Sequence, residues 1–557
     1  MDIFSDKIDK LLDVIEDFKK RRIANSTEEE IQFIDPRGSL RKLKAYNCSL
    51  ILGRRGSGKT TLQLASMERN FKDISVGVDC QTIRKRDEAS IILFLLVKIL
   101  EKIRFKMEND TYKELTAKQK LGFEAIVNMF KQQQVKKEQL IRCKTFLDFT
   151  DDLIKSLKTL ENFPNEVTYR TNFEGSVTQE LQENMKHESQ LNSEFNLEGE
   201  IGAKYKSIGA KIKTVSGIVS NFQESSEKTL NQTETIAIQS ENIKVVRKVD
   251  LLDDLKDSIT ELFNEYYVIE GKHVVLFLDD FYQIPREKQP RIIHYFHDIF
   301  KNSTGGSFSF KICSLPNSLK LNFDGEAILS PSDDFTSINL DYNLSDMESL
   351  TRYLLEITSS LDRNLEISIS DIEGLFGNEA LLYTVVATGG IPRDFLIMLG
   401  ELVTITRLNS RNKITREDIY QASRELEKDK GENIEFDSNI TPELIDNTRA
   451  LINSEIVEKH KTNVFLYPNN PTLKEEAIIR NLVNARYLHV IKESVSSENV
   501  KRKLFNAYLV DMSLYATGKR LKPNFKFREF WKRDDNSRIK DLDSAPILSS
   551  ITELVQQ

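Results

Sequence analysis

The run Gly53-Arg54-Arg55-Gly56-Ser57-Gly58-Lys59-Thr60-Thr61 limits what this chain can fold into more than any other segment. It follows the apolar stretch Ser49-Leu50-Ile51-Leu52 and precedes LQLASMERN, which reads as a helix. Strand, glycine turn and helix in the spacing GxxxxGK[ST] make a phosphate-binding loop. Glycines let the backbone curl so that successive N–H groups point at one phosphate, and the helix N-terminus adds its dipole. Lys59 is placed to reach the β- and γ-phosphates, and Thr60 to offer its hydroxyl to Mg²⁺. All nine residues, Gly53 to Thr61, are therefore candidate contacts for a bound nucleotide. ATP is the expected ligand and Mg²⁺ the expected metal.

Such a loop requires an acidic strand to complete the metal site. His273-Val274-Val275-Leu276-Phe277-Leu278-Asp279-Asp280 supplies one, its apolar run suiting a parallel strand buried on both faces. Its carboxyl end is where open α/β sheets bind ligands. Asp279 is the candidate metal ligand. Asp280 is the candidate for orienting or deprotonating an attacking water, with a helix N-cap or a plain surface acid as the alternative. Ser309–Leu315 reads as the next strand, and Ser314 at its end either senses a phosphate or simply terminates the strand. Gly389-Gly390-Ile391-Pro392-Arg393 then gives a turn into a helix, with Pro392 in the first turn and Arg393 able to meet the γ-phosphate. Lys59, Asp280 and Arg393 are the expected catalytic set.

The order GRRGSGKTT, VVLFLDD, a polar-ended strand, GGIPRDF and ITREDIYQAS resembles the AAA+ ATPases of the origin-recognition type and the related STAND signalling ATPases. The likeness covers about residues 45–140 and 255–435, with a weaker extension to about 520. It implies a P-loop parallel sheet with a helical lid, and it gives Arg393 the part of the sensor-2 arginine. It also implies an arginine finger acting between subunits. Arg286 and Arg291 are candidates for it, with ordinary solvated arginines as the alternative.

The chain has 557 residues, which suits roughly three or four domains. The expected division begins with an N-terminal helix and lead-in (1–45) and the first part of the core (46–160). A β-rich insertion (161–254) and the second part of the core (255–344) follow. The helical lid (345–436), a winged-helix-like module (437–520) and a basic, aromatic tail (521–557) complete the chain. The module is read from the order strand–helix–strand–strand, at 463–467, 473–485, 487–491 and 503–511. In the insertion, alternation at Thr168–Val177, Phe195–Tyr205 and Thr235–Val246 predicts β-hairpins. The basic stretch Gly518–Arg533 has two readings, phosphate contacts with base stacking, or a helix that packs Phe527, Phe530 and Trp531.

A net charge of −7 argues against a whole-surface nucleic-acid coat but leaves a local contact open. Cys48, Cys80, Cys143 and Cys313 are scattered, without a CxxC pair, and read as reduced core thiols. No apolar run approaches membrane-spanning length, and the N-terminus lacks the apolar core of a signal peptide, so a cytoplasmic location and no membrane contact are expected. The chain thus reads as an ATP-binding, slowly hydrolysing switch that couples nucleotide state to a protein partner or to its own oligomer. Two alternatives remain open. One is an ATP-dependent loader that binds DNA through its C-terminal module, and the other a nucleotide-gated scaffold in an antiviral defence system.

Overall fold

The structure, a computed structural model, describes residues 2–20, 33–69, 72–113, 130–162, 164–170, 243–316, 318–429, 441–532, 542–548 and 551. At its centre lies a five-stranded parallel sheet of β1 (Ser49–Leu52), β2 (Ile74–Asp79), β5 (Val274–Asp279), β6 (Phe308–Ser314) and β7 (Thr336–Asn339). The spatial order is β2-β5-β6-β1-β7. Parallel strands need crossovers, and helices cover both faces, so the central strands are buried along most of their length. Val274 to Leu278 and all of β6 are buried. In this order β6 lies between the strand that feeds the glycine loop and the strand that carries the two aspartates. Its register pairs Leu52 with Ser314 on one side and Leu278 with Ile312 on the other.

The residues between β2 and β5 add three helices, Glu88–Lys106, Phe130–Glu161 and Lys248–Glu270, to the same core. The apolar run Ile91–Val97 lies in the first of them and is buried but for Phe94. A two-stranded antiparallel ladder, β3 (Glu166–Arg170) with β4 (Ile243–Arg247), leads out to and back from residues 171–242. The outer parts of the predicted hairpins, including Phe195–Tyr205, lie outside the described residues.

A second core joins segments far apart in sequence. Ile8, Leu11 and Ile15 of the N-terminal helix Asp6–Lys20 pack with the lid helices Met347–Ser359, Ala380–Ala387, Pro392–Leu408 and Arg416–Glu425. The last of these opens on a capping box in which Thr415 and Asp418 bond each other's backbone N–H. The same core takes in a C-terminal module with the connectivity strand–helix–strand–strand. Its antiparallel sheet, ordered β8 (Val464–Pro468), β10 (Leu504–Val510), β9 (Leu488–Ser496), packs with the helix Leu473–Asn484.

The basic, aromatic stretch differs from its helical reading. It runs as one short strand, Arg520–Leu521, paired with Ala516–Thr517 just before it, and then as extended turns, with Gly518 and Asn524 at positive φ and Pro523 between the strand and Phe525. Its rings are nonetheless inside: Phe527 stacks on Tyr383 of the lid at 4.9 Å, and Phe530 is fully buried. All four cysteines are buried thiols. Among the described residues, no helix is long and apolar enough to cross a membrane.

Candidate functional site

The glycine loop joins β1 to the helix Lys59–Arg69 at the carboxyl edge of the sheet. Gly56 and Gly58 have φ of 84° and 92°, a backbone region that L side chains rarely enter. At Gly56 a Cβ would also lie 2.8 Å from that of Arg393. Two outside groups fix the start of the loop. Gly53 N donates to the Ser314 carbonyl (3.2 Å), and Arg54 N donates to the Asp341 carboxylate (3.0 and 3.1 Å).

The buried Lys59 ammonium sits within the loop's curve, donating to the carbonyls of Gly53 (2.7 Å) and Arg54 (3.0 Å). Burial lowers its pKa, and Asp280 opposes the shift. Thr60 Oγ1 donates to Asp279 Oδ2 at 2.6 Å, bringing together two groups that lie on different elements. Burial and the neighbouring Asp280 push the Asp279 carboxyl up to about 6. A cation bound here would offset both effects. Among the described residues no cluster of three or more His, Cys, Asp or Glu could hold a metal by itself. The donors instead suit Mg²⁺, which is held by one or two protein oxygens together with phosphate oxygens.

Asp280 follows directly with φ 48°, a left-handed conformation uncommon outside glycine and concentrated at functional sites. It occupies the N-cap position of the 3₁₀ turn Phe281–Gln283, but its side chain makes no capping hydrogen bond there. Burial raises its pKa, opposed most strongly by Lys59. Arg55, half-buried, lies over the Tyr282 ring at 5.4 Å, and burial and then the Asp280 charge raise the Tyr282 pKa. Arg393 reaches the loop from the lid, its N–H donating to the Gly56 carbonyl at 3.3 Å. Burial depresses its pKa, Asp394 offsets that shift, and Arg486 and Arg55 add to it. Two hydroxyls at the site, Ser57 Oγ and Ser314 Oγ, are buried with no hydrogen-bond partner among the described residues. Unbonded buried hydroxyls are costly, and here they suit contacts to a polar ligand such as a phosphate.

Loop, lysine, threonine, aspartates and lid arginine are thus assembled around one point. Not all the sequence candidates face it. Arg54, counted with the nucleotide contacts, commits its guanidinium to Asp341 (3.5 Å), the Gly389 carbonyl (3.0 Å) and His489 (3.4 Å). Arg291, one candidate finger, is ion-paired to Asp253 within the chain, and Arg286 is half-buried before the same helix. Asp341 and His489 were missed by sequence reasoning, since neither belongs to a local motif.

The sheet order and the loop geometry define a P-loop protein of the α/β class. No family model matches the sequence, and no curated protein matches it. Among solved structures, Cdc6p from Pyrobaculum aerophilum is 10% identical over 87% of this chain and 92% of its own, with a TM-score of 0.32. A Walker-type ATPase of Pyrococcus abyssi is 11% identical over 90% of this chain and 99% of its own, at 0.35. The Thermotoga maritima RuvB Holliday junction branch migration motor is 11% identical over 46% of this chain and 80% of its own, at 0.22. Each is a distant likeness.

Proposed function

We propose that this chain is an ATP-binding, slowly hydrolysing switch of the AAA+ kind, with Mg²⁺ as its metal. The observation that carries the reading is the 2.6 Å contact of Thr60 with Asp279 beside the loop-bound Lys59. The loop N–H groups and Lys59 would bind the β- and γ-phosphates, and Thr60 and Asp279 would hold the metal. When bound, Mg²⁺ would supply charge neutralisation at the phosphate oxygens. Asp280 is placed to orient or accept a proton from an attacking water, and Arg393 to bring the lid onto the γ-phosphate side. Catalysis is then a matter of positioning and electrostatics.

Slow turnover is inferred because the lid shares its core with the N-terminal helix and the C-terminal module. Its movement on nucleotide exchange would carry those segments with it, which suits a switch coupled to a protein partner or a second copy. Steady-state hydrolysis by the full chain tests this. Turnover should be slow, lost in Lys59→Ala, and lost with ATP binding retained in Asp280→Asn. Rapid turnover unaffected by Lys59→Ala would overturn it.

A second reading, DNA contact through the C-terminal module, is favoured by one surface. Lys501, Arg502 and Lys503 are exposed between β9 and β10. In the basic stretch three cations are engaged inside the chain, Lys519 with Asn409, Lys522 with Glu458 and Arg528 with Ser544, and Arg520 and Lys526 are exposed. Binding through this turn should weaken steeply with salt and with Ala at 501–503. The absence of DNA binding at low salt with ATP present would remove the reading.

A further inference from the structure

The C-terminal module reaches the phosphate loop through one short segment, Arg486 to His489. His489, at the start of β9, is 1% exposed. Its Nδ1 lies 3.4 Å from Arg54 Nη1, and its Nε2 lies 3.3 Å from Asp511 Oδ2. A guanidinium only donates, so Nδ1 must accept and the ring proton belongs on Nε2, where Asp511 accepts it. Asp511 is fully buried and is itself held through Oδ1 by the Ser513 N–H (3.0 Å) and hydroxyl (2.6 Å). Arg54 thus donates to His489 and His489 to Asp511, so the run of bonds that starts in the loop ends on a carboxylate that Ser513 holds from the other side.

The approach is built into the lid as well. Gly389 has φ 58°, and a Cβ there would lie 1.9 Å from His489 Nδ1, so the imidazole occupies space that only glycine leaves open. Three residues earlier in the same segment, Arg486 Nη1 binds Asp394 Oδ1 at 2.6 Å, beside Arg393 at the start of the lid helix. One segment of the C-terminal module therefore holds both a loop arginine and the neighbour of the lid arginine.

We propose that His489, its tautomer fixed by Asp511, is a positioning residue for the phosphate loop, acting through Arg54. The C-terminal module is then part of the nucleotide site. The inference rests on the reading that the loop binds ATP. Arg54 also spans Asp341 and Gly389, so loss of the imidazole frees one of its anchors and lets the loop relax from the geometry that holds the phosphates.

The test is ATP affinity, KM and kcat for the full chain, with thermal unfolding as the check on folding. His489→Ala should weaken ATP binding and raise KM about tenfold, as losses of supporting partners do, with kcat changed less. His489→Gln, whose Oε1 can still accept from Arg54, should recover most of the loss. Arg54→Ala combined with His489→Ala should be no worse than Arg54→Ala alone. Wild-type ATP binding with unchanged KM in His489→Ala, or with effects that multiply in the double variant, would overturn the inference while leaving the reading of the site intact. Absence of ATP binding by the wild type would overturn both. If His489→Ala does not fold, His489→Gln and the Arg54→Ala pair with it decide the matter: unchanged binding in Arg54→Ala overturns the proposal.

Discussion

At the residue scale, one buried side chain shows how much depends on groups outside any motif. Lys311, on the central strand β6, is 1% exposed and donates to the carbonyls of Lys44 and Asn47 and to Asn47 Oδ1. It thereby ties the turn that precedes β1 to the strand beside it. Burial pushes its pKa down to about 7 from 10.5. Between those values the unfolded chain binds more protons than the folded one, so this residue makes stability rise with pH from about 7 to 10.5. Wild type should accordingly gain in Tm relative to Lys311→Met as pH is raised across that window, and a pH-independent difference would count against it. At neutral pH Lys311→Met also takes this donor from the Asn47 carbonyl, which costs about 1–3 kcal/mol if that group is left unsatisfied and unhydrated, while the Lys44 carbonyl keeps the Asn47 N–H and Asn47 Oδ1 keeps the Ser49 hydroxyl.

Gly389 offers a comparison with Gly271, since both have positive φ but only Gly389 meets a neighbour. Gly271→Ala at the C-cap of Lys248–Glu270 should cost about 1 kcal/mol in denaturant unfolding. Gly389→Ala should cost that and roughly 1–3 kcal/mol more, because the His489 ring must move. Equal costs would mean that the imidazole is not wedged there.

At the element scale, local pattern and final structure agree where an element is defined by its own residues. The strand–turn–helix at 49–69, the buried strand before Asp279, and the lid helix starting at Pro392 each carry their signal within a few positions. What escaped was set by pairing at a distance. Nothing in Phe308–Ser314 states that it lies between β1 and β5, and nothing near Asp341 or His489 states that they meet Arg54. The stretch 518–532 misled for a local reason. Its aromatic spacing suggests a helix, but Gly518, Pro523 and Asn524 bend it, and the rings reach the lid from an extended chain. These rings matter for the second core, in which Phe530, Leu548 and Ile551 are buried. Removing residues 521–557 should therefore lower stability by several kcal/mol, at about 1.5–3 kcal/mol per buried large side chain. Heat denaturation of the truncated chain checks this, and an unchanged Tm would show the tail to be a mere appendage.

At the scale of the whole molecule, two cores meet at the phosphate loop. One holds the parallel sheet with its covering helices, and the other holds the N-terminal helix, the lid, the C-terminal module and the tail. Arg393 N on Gly56 O, Arg54 on Gly389 O and His489, and Arg486 on Asp394 all lie where the cores meet. On the proposed reading a nucleotide bound there would touch both, and its presence would shift how they sit against each other by as much as its affinity differs between the arrangements. That is the physical content of calling the chain a switch.

The central claim, that this junction binds a nucleotide through the loop and its metal pair, is tested most directly by calorimetric titration of ATP with Mg²⁺ into the full chain. The account predicts saturable binding at one site, lost in Lys59→Ala and weakened at least tenfold in Asp279→Asn or when Mg²⁺ is chelated. No heat of binding to the folded wild type, or binding indifferent to Lys59 and to Mg²⁺, would contradict it.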